Sequence, residues 1–151
     1  MNDNKYPHPD PDTELLSGIH KLSQTGIEAV EAVIHKAQDD TLKQELLEQY
    51  ADYCRASSDT KEALCSRGVE AKSLNPMEKA LMWGSVQLHT LNQTSPEHIA
   101  EIMINGTTKG IIDLSKHIGA CKNADPEIID YAEGFISKEE KHIDNLKSML
   151  Y

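Results

Sequence analysis

Residues 126–150 read PEIIDYAEGFISKEEKHIDNLKSML, and this segment predicts the type of fold. Its apolar residues recur every three or four positions, which is the spacing of one face of an α-helix. The members of that face are Ile128, Ala132, Phe135, Ile136, Ile143, Leu146 and Leu150. Asp125 stands directly before Pro126, as a capping residue stands before a proline that opens a helix. The sequence therefore predicts an amphipathic helix over 126–150.

Similar helix starts recur along the chain. Asn75 precedes Pro76, Ser95 precedes Pro96, and Asp39 offers a start without a proline. Asp10-Pro11 is a further candidate start. No run alternates apolar and polar residues over the length of a strand. The predicted helices span 12–37, 41–67, 76–91, 96–118 and 126–150. We therefore expect an all-α fold.

Four of these helices are long and similar in length, and the third is short. Long amphipathic helices bury their apolar faces against one another, which predicts a four-helix bundle. The short helix, 76–91, then lies in the crossover between the second and third long helices. A chain of 151 residues has the size of one domain. We expect a single bundle domain over 12–151, preceded by a flexible tail over 1–11.

The charge and the cysteines of the chain bear on its partners and its compartment. Lys and Arg number 15 against 25 Asp and Glu, which gives a net charge of −10. This charge repels phosphate and argues against nucleic acid and anionic membrane surfaces as partners. Residues 1–12 are polar and proline-rich, unlike a secretory signal, so we expect a cytoplasmic protein. Cys54, Cys65 and Cys121 then predict buried, reduced thiols.

Two polar residues fall on the apolar face of the last helix. At about 100° per residue, Glu139 lies in the middle of this face and His142 lies at its edge. The neighbouring Lys138, Glu140 and Lys141 reach water. An ionised carboxylate is costly to bury unless it is paired or binds a metal. Glu139 and His142 therefore mark the candidate site.

The segment from Ala132 to Leu150, with its Glu139-x-x-His142 pair, resembles the last helix of ferritin-like proteins. The long crossover between the second and third long helices fits the same superfamily. The resemblance implies a ferritin-like four-helix bundle, in which such a pair supplies one side of a di-iron site. It implies Glu139 and His142 as metal ligands, with iron or another divalent metal as the cofactor.

The other helices lack the remaining ligands of that pattern, because their predicted inner positions hold hydroxyl groups. This polar layer consists of Ser23, Tyr53, Ser57 and Thr107. The inner positions of the second helix are predicted to be Tyr50, Tyr53, Cys54 and Ser57. Glu139 is then either a buried acid held by Thr107, Tyr53 or His142, or a ligand in an incomplete metal site. His117, on the apolar face of the 96–118 helix, is a weaker candidate ligand.

Three glycines lie inside predicted helices, where each costs about 1 kcal/mol relative to alanine. Gly26, Gly106 and Gly110 are predicted to allow close contact between helices. The alternative for Gly106 and Gly110 is a groove left open for a ligand beside Glu139. Trp83 lies off the main apolar face of the short helix, where it covers the end of the bundle or marks a subunit contact.

Three functions remain open from the sequence. The first is a non-catalytic binding or assembly module with an incomplete metal site, and it leads because the inner faces hold too few carboxylates for oxygen chemistry. The second is a metal-binding or redox protein that uses Glu139, His142 and, as a weaker candidate, His117. The third is a bundle that binds a small apolar ligand near Gly106 and Gly110. Because such bundles often associate, we expect a homo-oligomer, for which a dimer is the simplest form.

Overall fold

The computed structural model describes residues 10–151, and every regular element in them is helical. The elements are α1 Pro11–Val33, α2 Asp40–Ser66, α3 Pro76–His89, α4 Pro96–Ala120 and α5 Pro126–Lys147. A 3₁₀ turn, Ile34–Lys36, directly follows α1. The predicted all-α class is confirmed, and the short α3 lies in the connection between α2 and α4.

Local hydrogen bonds start the helices where the sequence predicts. Four side chains each accept a backbone N–H from the first turn of the helix that follows them: Asp10, Asn75, Ser95 and Asp125. The next residue is a proline in all four cases, and its missing N–H would have no partner at that position. Asp39 caps α2 without a proline, with its Oδ1 2.8 Å from the backbone nitrogen of Leu42.

The helix bounds differ from the prediction by a few residues. The sequence places Asp10 and Pro11 at the end of the predicted tail, with a helix start at Asp10-Pro11 as the alternative. The structure confirms the alternative, because the two residues form the cap and the first position of α1. The rest of the predicted tail, 1–9, lies outside the described residues. The first helix is predicted to continue to 37, but α1 gives way to the 3₁₀ turn after Val33, and α5 ends at Lys147 rather than 150. Helix ends tighten and fray, and a residue pattern marks them less sharply than a cap marks a start.

The four long helices pack around one core. α1 lies against α2 and α4, α5 lies against the same two helices, and α3 lies against α1. The large side chains with the least exposure come from all four long helices and include Leu15, Ile19, Leu42, Leu46, Leu64, Ile99, Leu114 and Leu146. Burying one such side chain contributes about 1.5–3 kcal/mol. This packing also brings polar residues of α2, α4 and α5 together in the interior.

The hydrophobicity of the helices and the exposure of the cysteines bear on the environment of the chain. No helix in residues 10–151 has both the length and the apolar character that crossing a membrane requires. All three cysteines are free; Cys121 is buried, Cys54 is half-buried and Cys65 is exposed. The prediction of a buried thiol is therefore wrong for Cys65. This residue follows the buried Leu64, and neighbouring side chains on a helix point about 100° apart.

Candidate functional site

Glu139 is 2% exposed on α5, as its place on the apolar face predicts. The hydroxyl of Tyr53 on α2 donates a hydrogen bond of 2.7 Å to Glu139 Oε2. Loss of water raises the pKa of Glu139 to about 7, although the Tyr53 hydroxyl and nearby His142 act in the opposite direction. This carboxyl group therefore changes its charge near neutral pH.

His142 lies one turn further along α5 and is also buried. Its Nδ1 is 2.6 Å from Glu45 Oε1, and its Nε2 is 2.8 Å from Asp52 Oδ2. Burial lowers the pKa of His142, but the hydrogen bonds to Glu45 and Asp52 outweigh burial, so the pKa lies above its usual value. Both ring nitrogens donate only in the protonated ring. The arrangement is an imidazolium held between two carboxylates of α2.

We call Glu45, Asp52, Glu139 and His142 the acid–imidazole cluster. It joins α2 to α5 across the core, and its outer side has two further polar neighbours. Asn145 Nδ2 donates to Glu45 Oε2 over 3.0 Å, and the guanidinium of Arg55 lies 3.6 Å from Asp52 Oδ1. Three acids thus share one imidazole and the largely exposed Arg55, so the charge of the cluster depends on whether Glu139 is protonated.

A buried amide links the cluster to α4. Gln49 Nε2 lies 3.0 Å from the Tyr53 hydroxyl and 3.1 Å from the Thr107 hydroxyl. Gln49 Oε1 is buried without a hydrogen-bond partner, which carries a desolvation cost. Burial and the nearby Glu139 hold the pKa of Tyr53 well above its usual value, so the hydroxyl stays protonated as a donor. One chain of hydrogen bonds thus connects α4, α2 and α5.

The structure brings two of the four predicted hydroxyl residues to this network, Tyr53 and Thr107. Ser23 is buried, but its hydroxyl donates to a backbone carbonyl of its own helix over 2.8 Å. Ser57 is half-buried and accepts a 2.6 Å hydrogen bond from a glutamine of α1. Ser23 is therefore in the core, as predicted, but its hydroxyl bonds within α1. Ser57 is only half-buried, so its predicted place in the buried layer is wrong.

The sequence prediction misses Glu45, Asp52 and Gln49, because the α2 face that it places inside shares Tyr53 with the buried face but is rotated from it. The expectation that the inner faces hold too few carboxylates is therefore wrong, since Glu45 and Asp52 of α2 both contact His142. The buried residues of this helix are Leu42, Glu45, Leu46, Gln49, Tyr53, Ala56, Thr60 and Leu64. Tyr50 and Cys54, predicted to face inward, are only half-buried. Because three inner positions hold the polar residues Glu45, Gln49 and Thr60, the apolar residues alone do not reveal this face. Its regular spacing of three and four, from residue 42 to residue 64, would have identified it.

His117 does not join the cluster. It follows Thr107 by ten residues on α4, a separation of about 15 Å along the helix axis. Its ring lies against α1, 3.5 Å from the position that a Cβ on Gly18 would take. The packing of two helices therefore accounts for its place on the apolar face of α4.

The acid–imidazole cluster is not arranged as a metal site. Within residues 10–151, no group of three or more His, Cys, Asp or Glu side chains is arranged to hold one. A histidine that binds a metal needs a ring nitrogen without a proton, whereas both nitrogens of His142 lie at hydrogen-bond distance from carboxylates. The metal role of Glu139 and His142 stays a prediction that this geometry does not support.

The three helix glycines have different surroundings. A Cβ on Gly26 would lie 2.5 Å from the ring of Tyr53, so α1 and α2 approach closely there. A Cβ on Gly110 would lie 2.8 Å from the end of the Leu22 side chain. Gly106 is exposed, and a Cβ there would meet no atom within 4 Å. The predicted helix contact is therefore wrong for Gly106, because it lies on the outer side of α4.

Alanine substitutions at Gly26 and Gly106 should change stability in opposite directions. We expect Gly26→Ala to lower the free energy of unfolding by about 1–3 kcal/mol, because the added methyl displaces the buried Tyr53 ring. We expect Gly106→Ala to raise it by up to about 1 kcal/mol, because alanine favours an exposed helix. Urea unfolding measures the free energy of unfolding of both variants. An equal increase in this free energy in the two variants would contradict the close contact at Gly26.

Two surface hollows bear on the predicted apolar ligand. One, of about 520 Å³, is lined by 92–95, the first turns of α4 and Leu150. The other, of about 460 Å³, is lined by the first turns of α2 and the end of the chain, and includes Glu45. Neither is lined by Gly106 or Gly110, so these hollows do not support a ligand groove at the two glycines.

The apolar side chains of α3 are exposed. Met77, Leu81 and Leu88 are 73%, 69% and 73% exposed, and Leu91, two residues after the end of α3, is 73% exposed. We call these four residues the α3 apolar face. The opposite side of α3 rests on α1. It contributes the buried Val86 and the half-buried Trp83, whose Nε1 donates to an α1 carboxylate over 2.8 Å.

Comparison with known proteins assigns the chain to no family: no family model, curated protein or solved structure matches it. What the protein does is therefore inferred from its own residues.

Proposed function

We propose that this protein is a non-catalytic binding or assembly module, a ferritin-like helical bundle that acts through its surface. The ferritin-like architecture rests on the sequence resemblance of the last helix and on the long connection that carries α3. The observation that carries the functional proposal is the α3 apolar face, which leaves four large side chains in water.

The interior supports a structural role for the acid–imidazole cluster. Glu45 and Asp52 bind His142, and Glu139 binds the Tyr53 hydroxyl, so these groups satisfy one another. A catalytic acid or base has to reach the proton of a substrate, but Glu139 and His142 are 2% and 5% exposed. The cluster ties α2 to α5 and fixes the register of the core.

The surface supports an interaction role. Single exposed apolar residues are common, but an aligned group of them marks a contact surface. Leu81 and Leu88 lie on the same side of α3, and this side lies opposite Val86, which packs towards α1. A partner that covers this side removes apolar area from water without any change in the core.

Metal analysis tests the non-catalytic part of the proposal. Purified protein is incubated with Fe(II) in air and, separately, with Zn(II), Mn(II) and Co(II), then desalted for elemental analysis. We expect no ferroxidase turnover and no stoichiometric metal, because His142 is held by two carboxylates.

Two variants complete this experiment. Glu139→Gln removes the buried acid, and Glu140→Gln makes the same change at its exposed neighbour. Stoichiometric metal that is lost in Glu139→Gln and retained in Glu140→Gln would overturn the proposal in favour of a metal-binding protein.

A further inference from the structure

We infer that a second copy of this chain covers the α3 apolar face, through a two-fold antiparallel pairing of α3 helices. This inference rests on the proposed role as an assembly module and names its partner. Three properties of α3 lead to it: the direction of its apolar face, the spacing of the residues in that face, and the local charge.

The α3 apolar face points away from the body of the protein. Val86 is the buried residue of α3 and lies on the side that contacts α1. Leu81 and Leu88 lie five residues before and two residues after Val86, and both positions are rotated by more than 120° from it at 100° per residue. The exposed side of α3 is thus free to contact another helix along the length of α3.

The spacing of the face is self-complementary. Met77, Leu81, Gly84 and Leu88 follow steps of four, three and four, which is the pattern of a helix–helix seam. Helix α3 has 14 residues, Pro76–His89, so a two-fold axis at its midpoint places Met77 opposite Leu88 of the partner subunit. The same axis places Leu81 over the partner's Gly84. A two-fold contact requires this kind of reciprocal match.

Gly84 provides room for the leucine that crosses it. Among residues 10–151 of one copy, a Cβ on Gly84 would meet no atom within 4 Å, so the space above it is open. Glycine inside a helix costs about 1 kcal/mol relative to alanine, and no contact in this part of the chain explains the residue. In the paired helices, the missing side chain leaves a depression that receives Leu81 of the partner subunit.

Local charge permits this contact in a chain whose net charge is −10. Within α3, Glu78 and Lys79 are the charged residues, and they cancel. Each also pairs with an α1 residue of opposite charge, Lys21 at 3.0 Å and Glu28 at 2.9 Å. Two copies therefore meet at α3 without local repulsion between like charges.

The pairing predicts a weak dimer, because one short helix per subunit gives an interface at the low end of the specific range. Sedimentation velocity over a thousand-fold concentration series centred on roughly 10 µM should show a monomer that becomes a dimer. The Leu81→Gln/Leu88→Gln variant should stay monomeric over the whole series. The control variant Leu47→Gln/Ile112→Gln changes apolar residues of similar exposure on α2 and α4 and should dimerise like the wild type.

Cysteine cross-linking tests the antiparallel register. In a Cys65→Ser background, which removes the exposed native thiol, a Met77→Cys chain mixed with a Leu88→Cys chain should form a disulfide-linked heterodimer under mild oxidation. Either chain alone should give little dimer. Self-linking of Met77→Cys indicates parallel helices and overturns the geometry.

A monomer at every concentration, or a dimer that survives Leu81→Gln/Leu88→Gln, overturns the inference. Both results leave the non-catalytic proposal intact, because that proposal is tested by metal binding. Circular dichroism of each variant confirms that the helices are retained, as expected for substitutions at exposed positions.

Discussion

Replacement of His142 by glutamine should lower the free energy of unfolding by about 3–5 kcal/mol at neutral pH. The imidazolium balances Glu45 and Asp52, at 2.6 and 2.8 Å. Without it, both carboxylates lose the cation that they share, and Glu45 is 6% exposed. Breaking a buried pair by removing one partner costs more than the pair contributes, because the remaining charge has lost its water. Urea unfolding, followed by circular dichroism, measures the loss.

A double variant separates the charge effect from the loss of packing. Glu45→Gln added to His142→Gln removes the buried carboxylate that has lost its cation, so we expect much of the stability to return. Such non-additivity is the signature of residues that act on one another. Lys141→Gln, at the exposed neighbouring position, should change stability by less than about 0.5 kcal/mol. Additive losses in the double variant would show that His142 contributes through its shape alone.

Glu139→Gln should stabilise the protein above pH 7 by up to about 3 kcal/mol. A pKa raised from 4.5 to about 7 means that the folded state disfavours the ionised carboxyl, and each pKa unit corresponds to about 1.4 kcal/mol. Glutamine keeps an oxygen that accepts the Tyr53 hydrogen bond and carries no charge. Urea unfolding at pH 8 compares this variant with the wild type, and Glu140→Gln is the exposed control.

The pH dependence of the wild type follows from the same two residues. Glu139 has a folded pKa above its unfolded pKa, so stability falls as pH rises from about 4.5 to about 7. His142 also has a raised folded pKa, and its stabilising effect is lost as pH rises through that value. Asp52 and Tyr53 are the other titratable groups acting on Glu139.

Both shifts therefore predict a more stable protein at pH 5.5 than at pH 8. Glu139→Gln should show a smaller difference between the two pH values. A wild-type protein that is equally stable at both would contradict the buried, protonated state of Glu139.

Sequence reasoning found half of the acid–imidazole cluster. Glu139 and His142 could be predicted because the apolar residues of α5 define its buried face clearly, and two polar residues interrupt it. Glu45 could not be found in this way, because the inner face of α2 also carries Gln49 and Thr60. A polar residue at an inner position resembles a surface residue when only apolar residues are counted, and the spacing of the whole helix is then the one local signal of its burial.

The helices and their starts follow from local sequence. A capping residue and a proline favour a helix start through interactions within the first turn. Asp125 and Pro126 therefore start α5 independently of contacts with distant residues. In contrast, the packing of the helices against one another determines which polar groups come into contact and which apolar face stays exposed to water. The apolar residues of α3 are as regular as those of a buried helix, yet Leu81 and Leu88 lie outside. α1 packs against the other side of α3, and the hydrogen bonds and ion pairs between them join residues that are far apart in the sequence. The spacing of residues within a single helix carries no information about such contacts.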